Sequence, residues 1–221
     1  MRIEDTNYNQ IKDLIKHSNY VGILVSEIAG ADAFSAGLGL FHMLEGQDKE
    51  VKFLHSGRIP EQCLNLPGVE KISTNLEERE LWITINYDNL GASKLHYSAE
   101  NNSFVLKISP VPKDFNKDNV RTKLTGYDFD LLFVIGANAM EDLGSITNSI
   151  ENEIRRAKII NIDNSERNER FGIINVVDPY ADTLSLLILN KAPLWGLTPS
   201  TKSAKALLVG ISSRDLPNAN A

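Results

Sequence analysis

Apolar residues along this chain switch between two periods, and the switches mark its elements. Tyr8, Ile11, Leu14 and Ile15 recur at helical spacing behind Asp5-Thr6-Asn7, which predicts a capped amphipathic helix over about Thr6–Lys16. Val21–Val25 is a short apolar run without a helical period and reads as a buried strand. From Asp32 onward Phe34, Leu38, Phe41 and Leu44 return to the helical period with small residues between them. That pattern predicts a helix packed closely on a sheet and ended by Gly46. Val51–Leu54 follows as a strand, His55-Ser56-Gly57-Arg58 as its loop, Pro60–Pro67 as a loop or short helical turn, and Val69–Ser73 as a brief strand. Strand and helix alternating this early indicate a βαβ unit and a parallel sheet.

The pattern then changes to period two. Leu81–Asn86, Lys94–Ser98 and Ser103–Ile108 alternate and are rich in β-branched and aromatic residues, with Glu100-Asn101-Asn102 as a tight turn. Pro110, Pro112 and the polar stretch Lys113–Asn119 close this antiparallel hairpin or meander, an oligomer contact, a lid or an ornament on the sheet edge. Asp130-Leu-Leu-Phe-Val-Ile-Gly136 is the most apolar strand and belongs at the sheet centre. A helix over Ile150–Ala157, a strand over Lys158–Asp163 and a helix from after Pro179 to about Asn190 follow. Trp195 is expected to pack over the core, and Thr198 or Ser200 to cap a last helix carrying Ala204, Leu207 and Leu208. The fold class is therefore α/β: one domain over 1–221 with a doubly wound, mostly parallel sheet flanked by helices, and an antiparallel β insert at about 80–112.

Composition narrows the function classes. The chain has 221 residues, long enough for one large domain or two small ones, with a net charge of −6. No apolar run reaches the roughly 18 residues that span a bilayer, and the amino terminus has no signal-peptide core, so a cytoplasmic location without membrane partners is expected. The single cysteine, Cys63, excludes an intrachain disulfide framework and a Cys-cluster zinc site, and reads as a small buried apolar residue. The acidic balance argues against extended double-stranded nucleic acid as a partner, while leaving room for a nucleotide or short oligonucleotide in a pocket. Glu77-Glu78-Arg79-Glu80 and Arg155-Arg156 read as solvated faces.

The chemistry-bearing stretch is Ser26–Asp32. A strand, a tight loop and a helix opening on Asp32 place a carboxylate at the carboxyl end of a parallel strand, where open α/β sheets bind ligands. The first N–H groups of that helix can hold an anion, although the charge of Asp32 opposes this. Ser26, Asn138, Asn164 and Arg214 would then supply the contacts. His55, at a strand end, is either a hydrogen-bonding residue or a member of the site. Gly37-Leu-Gly39 lacks a third glycine, no Gly-Lys-Ser/Thr occurs, and no Ser-His-Asp set has a recognisable elbow, so neither nucleotide loops nor a serine hydrolase are indicated.

The same stretch resembles the first motif of the DHH phosphoesterase superfamily, of the oligoribonuclease and pAp-phosphatase type, in which a strand ends in His-x-x-x-Asp-x-Asp before a helix. Ser26 stands at the His, Gly30 at the first Asp and Asp32 at the second. Gly136 falls where the family has an Asp, with Leu143-Gly144 at the matching interval. The segment Ile159-Ile-Asn-Ile-Asp-Asn-Ser165 is similar to the signature, with Asn164 and Ser165 in place of its two histidines. Asp163, Phe171, Gly172, Asn175, Asp178 and Pro179 of that frame are retained. Val209–Asp215 resembles a further segment, with Arg214 at an acidic position, and a β-rich insert is found in some bacterial proteins of this type.

The resemblance implies a two-ion site, typically manganese, acting on a phosphoester. It also implies a second substrate-binding domain, which is expected to be absent from this chain. Such ions need several carboxylate and imidazole ligands, and Asp32 is the one direct ligand left, with Asp163 as support. The reading is a catalytically degenerate relative acting as a binding or assembly module, with a protein partner or itself as a homo-oligomer, and with no cofactor. The alternatives are an active manganese- or magnesium-dependent phosphoesterase remodelled around Asp32, Asp163, His55, Glu27 and Ser165, and a nucleotide- or phosphate-binding protein without turnover.

Overall fold

The structure is a computed structural model and describes residues 3–74, 80–86, 94–126 and 128–213. Its elements fall into two compact units, 1–77 with 127–221, and 78–126. In the larger unit α1 (Ile3–His17) leads into β1 (Tyr20–Val25), α2 (Ala31–Glu45), β2 (Glu50–Leu54) and β3 (Ile72–Ser73). The smaller unit holds β4 (Glu80–Ile85), β5 (Lys94–Glu100), β6 (Ser103–Ser109) and β7 (Val120–Thr125). The chain then returns through β8 (Leu131–Ile135), α3 (Ile146–Ser149), α4 (Glu151–Arg156), β9 (Lys158–Asp163), β10 (Ile174–Val177), α5 (Leu184–Lys191) and α6 (Thr201–Ser212).

Six strands of the larger unit form one parallel sheet in the order β10-β9-β8-β1-β2-β3. The two central strands run in register from Val21 opposite Leu131 to Val25 opposite Ile135. Both are buried on both faces, which is why their sequences are unbroken apolar runs rather than alternating ones. From β1 the chain winds outward through β2 and β3, and from β8 it winds the other way through β9 and β10. The winding therefore reverses between β1 and β8, and the crevice at their carboxyl ends, after Val25 and Ile135, is the place where such sheets take ligands.

α2 holds the larger core together. Every residue from Ala33 to Leu44 is buried, so the helix is enclosed on all sides. Gly37 and Gly39 cost this helix about 1 kcal/mol each in propensity. Burial of Phe34, Leu38, Leu40, Phe41 and Leu44, at about 1.5–3 kcal/mol per side chain, outweighs that cost. The glycines also set the packing distance. A Cβ on Gly37 would lie 2.6 Å from Val25 Cγ2, and one on Gly39 2.5 Å from Leu207 Cδ2 of α6. On this face of the sheet Trp195 is buried with its ring 6.5 Å from that of Phe133, as expected from the sequence. A second cluster, including Leu24, Leu132, Val134, Leu143, Ile146 and Ile150, covers the sheet beneath α3 and α4.

The smaller unit is antiparallel throughout. β4 pairs with β7, Leu81 opposite Leu124, and β5 pairs with β6, Tyr97 opposite Leu106. Asn101 and Asn102, both at positive φ (50° and 62°), make the two-residue turn between β5 and β6.

Several boundaries differ from the sequence reading. α1 begins at Ile3, so Asp5-Thr6-Asn7 lies inside the helix rather than capping it. Val69–Lys71 is a single 3-10 turn, leaving only Ile72–Ser73 as strand. The insert reaches Gly126 rather than 112 because Val120–Thr125 returns to pair with β4. Val120, Thr122 and Leu124 alternate there with Arg121 and Lys123, a period-two signal that the sequence reading passed over. β10 was also missed, its four residues being too short to show a period. Arg155 is exposed and paired with Glu151 at 2.6 Å, a solvated face as read, whereas Glu77-Glu78-Arg79 lies outside the described residues.

Candidate functional site: the carboxyl edge of the parallel sheet

Ser26–Gly30, Gly136–Ala139 and Asp163–Ser165 lie at the carboxyl ends of β1, β8 and β9, along one edge of the sheet. What each candidate does there is decided by its hydrogen bonds.

Asp32 sits in the first turn of α2, and its carboxylate caps another helix. Leu184 N–H donates to Oδ2 at 2.6 Å and Ser185 N–H to Oδ1 at 2.9 Å, while Ser185 Oγ donates to the Asp32 carbonyl at 3.2 Å. Leu186 N–H is taken by Thr183 Oγ1 at 3.0 Å. The first three N–H groups of α5, otherwise orphaned, are thus all satisfied. Both oxygens of Asp32 are engaged in fold contacts.

At the end of β8 the backbone itself excludes an acid. Gly136 has φ +65°, and a Cβ there would lie 2.8 Å from Ala33 Cβ and 3.2 Å from Leu184 Cδ1. A left-handed residue pressed against the start of α2 has to be glycine. Gly30, by contrast, has nothing within 4 Å of a built Cβ.

The remaining floor is knitted by Asp142. Its Oδ2 accepts from Asn138 N–H at 2.8 Å and Ala139 N–H at 3.3 Å. Its carbonyl accepts from Ser26 Oγ at 3.2 Å and Glu27 N–H at 2.7 Å. The signal was present: an acid three residues after a turn start reaches back to cap it. Asn138 also accepts from Glu169 N–H at 2.8 Å through its carbonyl, and its buried Oδ1 has no hydrogen-bond partner.

At the end of β9 Asp163 is buried and held by its own loop. Asn168 Nδ2 donates to Oδ2 and Asn164 N–H to Oδ1, each at 2.8 Å. Asn164 Nδ2 donates to the Ala181 carbonyl at 3.2 Å, and Ser165 Oγ accepts from Arg167 N–H at 3.2 Å. Asn168, missed in the sequence, is the hub: its Nδ2 also reaches the Ala137 carbonyl at 2.8 Å, and its Oδ1 accepts from Asn161 Nδ2 at 2.6 Å and Arg170 N–H at 2.8 Å. Asn161 in turn donates to Asn175 Oδ1 at 3.2 Å.

His55 is buried with its ring edge against Phe34, centroids 5.3 Å apart, and its nitrogens 3.4 Å from the Val25 carbonyl and 3.5 Å from that of Arg58. It is a core residue. Glu27 is exposed, with its carboxylate over Gly144. Arg214 lies outside the described residues. Among the described residues no group of three or more His, Cys, Asp or Glu side chains is placed to hold a metal ion. Since manganese or magnesium needs several such ligands at once, the donor set among the described residues does not fit a two-ion cluster.

The architecture is an open, doubly wound α/β domain with a capped and knitted carboxyl edge. No protein-family model matches the sequence. Among solved structures the chain is similar to an exopolyphosphatase-related protein from Bacteroides fragilis, with a TM-score of 0.65 at 15% identity. The likeness covers 95% of this chain and 50% of that one, so this chain spans half the length of its structural neighbour. At that identity the likeness is one of fold, and it agrees with the α/β class read from the sequence. Among the described residues no helix is long and apolar enough to cross a membrane.

Proposed function

We propose that this chain is a non-catalytic protein on a phosphoesterase-like fold, working in the cytoplasm as a binding and assembly module for a protein partner or a second copy of itself. The observation that carries the reading is the engagement of Asp32, whose two carboxylate oxygens hold the Leu184 and Ser185 N–H groups. Supporting it, Gly136 has neither the backbone conformation nor the space for an acid, and Asp163 is held by Asn168 and Asn164. Ser26, Asn164 and Ser165 likewise serve as contacts of their own loops. Hydrolysis of a phosphodiester by two ions needs ligands free to bind them and a bound water to attack phosphorus. Neither carboxylate is free in that sense.

The test is an assay of purified protein on bis-p-nitrophenyl phosphate, a nucleoside bisphosphate and a short oligoribonucleotide, with millimolar manganese and with chelator. The expected result is no turnover above the chelated control and no heat of manganese binding in calorimetry. Manganese-dependent turnover that co-purifies with the protein and disappears in Asp32→Asn overturns the reading.

A further inference from the structure

The ribbon made by β4 and β7 has two unlike sides. By strand alternation Leu81, Ile83 and Ile85 of β4 project to one side with Thr122 and Val120 of β7, and that side is mainly apolar. Trp82 and Thr84 project to the other, where Lys123 stands directly opposite Trp82 and Arg121 directly opposite Thr84. The pairing runs on to Asn86, whose N–H donates to the Asn119 carbonyl at 3.0 Å. Apart from its indole, the second side is polar and basic. Trp82 is 56% exposed, and Arg121 and Lys123 are exposed beside it. Glu80, the acid of that side, is engaged with the indole, whose Nε1 donates to its Oε2 at 2.6 Å. An aromatic serving the packing of the ribbon belongs on the apolar side with Leu81 and Ile83. Trp82 is on the other.

We propose that this side is a platform for single-stranded nucleic acid, on which a base stacks on Trp82 while Arg121 and Lys123 hold neighbouring phosphates. The proposal goes beyond the assembly reading and does not depend on it. Both cations lie on the same side as the ring, Lys123 as its direct and Arg121 as its diagonal cross-strand neighbour, within reach of long side chains. They are two positions apart on one strand, about 7 Å, close to the step between successive phosphates of an extended single strand. An indole beside two cations suits such a strand, since every base offers a π-face and every nucleotide a charge. A duplex keeps its bases stacked on one another and offers none to Trp82. An acidic protein surface is served by the cations alone and leaves the indole without a task.

The distribution of charge agrees. Residues 78–126 hold seven Lys or Arg against six Asp or Glu, whereas the rest of the chain holds sixteen against twenty-three. The acidic balance that argues against nucleic acid therefore belongs to the larger unit, and the smaller one carries no such barrier.

The experiment is a fluorescence titration of the full chain with an oligouridylate of about 12 nucleotides, within the span that one β platform covers, in chelator so that the probe stays intact. The chain has two tryptophans, and the other, Trp195, is 1% exposed, so quenching reads stacking on Trp82. Saturable quenching is expected, with log K falling against log salt by about 0.7 for each phosphate held. By anisotropy of a labelled probe, Trp82→Ala should weaken binding on the order of 5- to 100-fold, the worth of one stacked base. Trp82→Phe should restore most of it. Arg121→Gln and Lys123→Gln, both at exposed positions that leave the ring in place, should each make the salt slope shallower by about 0.7. A duplex of the same length should bind more weakly. Absence of saturable binding at submillimolar probe overturns the proposal. Binding that ignores Trp82→Ala, or that polyglutamate displaces as well as unlabelled oligouridylate does, means a surface for acidic protein and overturns it too.

Discussion

Replacing Asp32 by Ala separates a structural carboxylate from a catalytic one. The change removes the acceptors of two N–H groups whose residues, Leu184 and Ser185, are buried at the start of α5. An ordinary helix cap is worth about 1 kcal/mol, and a buried donor left without a partner costs about 1–3 kcal/mol. Thr183 still caps Leu186, so part of the helix start survives. The expected loss is about 2–4 kcal/mol, which for a chain of this size lowers Tm by about 4–16 °C. Asp32→Asn keeps one acceptor and should lose about half as much. Urea unfolding followed by circular dichroism, in buffer with chelator, measures both. If Asp32→Ala costs less than about 0.5 kcal/mol there, Asp32 is not a fold contact. If manganese stabilises the wild type and not Asp32→Asn, the carboxylate is a ligand. Either result refutes the reasoning.

Three further expectations follow from other parts of the structure. Gly136→Asp, which puts back the acid that the resemblance implies, should destabilise by about 2–4 kcal/mol through left-handed strain and overlap with Ala33. It should create no manganese site, and a calorimetric manganese heat in that variant would show the loop can yield. Asn168→Ala breaks bonds to Ala137, Asp163, Asn161 and Arg170 at once and should cost about 2–4 kcal/mol in urea unfolding; a near-neutral result would mean the loop after β9 holds without its hub. Burial raises the Glu45 pKa, but hydrogen bonds from Lys71 and His42, with their charges, outweigh it and hold the carboxyl below the ordinary 4.5. A depressed carboxyl stabilises the fold above that value and loses its contribution as pH falls through the lower folded value. Glu45→Gln should therefore flatten the stability profile below pH 4.5, by no more than about 1 kcal/mol since the pair is partly solvated. An unchanged acid limb would show the contact to be idle.

The candidate site was legible in position and illegible in role. Val21–Val25 and Leu131–Ile135 announced themselves as central strands because parallel strands buried on both faces have to be apolar throughout. Their carboxyl ends, with Ser26, Asp32 and Asn138, followed from that. His55 stayed open between a hydrogen-bonding residue and a site member because a strand end does not tell which way a ring turns; here the ring is buried with its edge against Phe34 and bonds backbone carbonyls. Asp142 and Asn168 drew little or no attention because their value lies in partners 116 and 31 residues away.

What the sequence determined by itself is the alternation of apolar periods, and with it the elements, the parallel sheet, the separate β insert and the turn at Asn101-Asn102. These depend on neighbours one to four positions apart, which is the range over which helices and strands repeat. What only the tertiary structure decided is the task of each polar side chain. Asp32 reaches α5 across 152 residues, and Gly136 is confined by a helix more than 100 positions earlier. Tyr97 and Phe104, which strand periodicity alone cannot place on a wet or a dry face, are exposed. A carboxylate at a strand end reads the same whether it awaits an ion or caps a helix, because the difference lies in N–H groups that only folding brings within 3 Å.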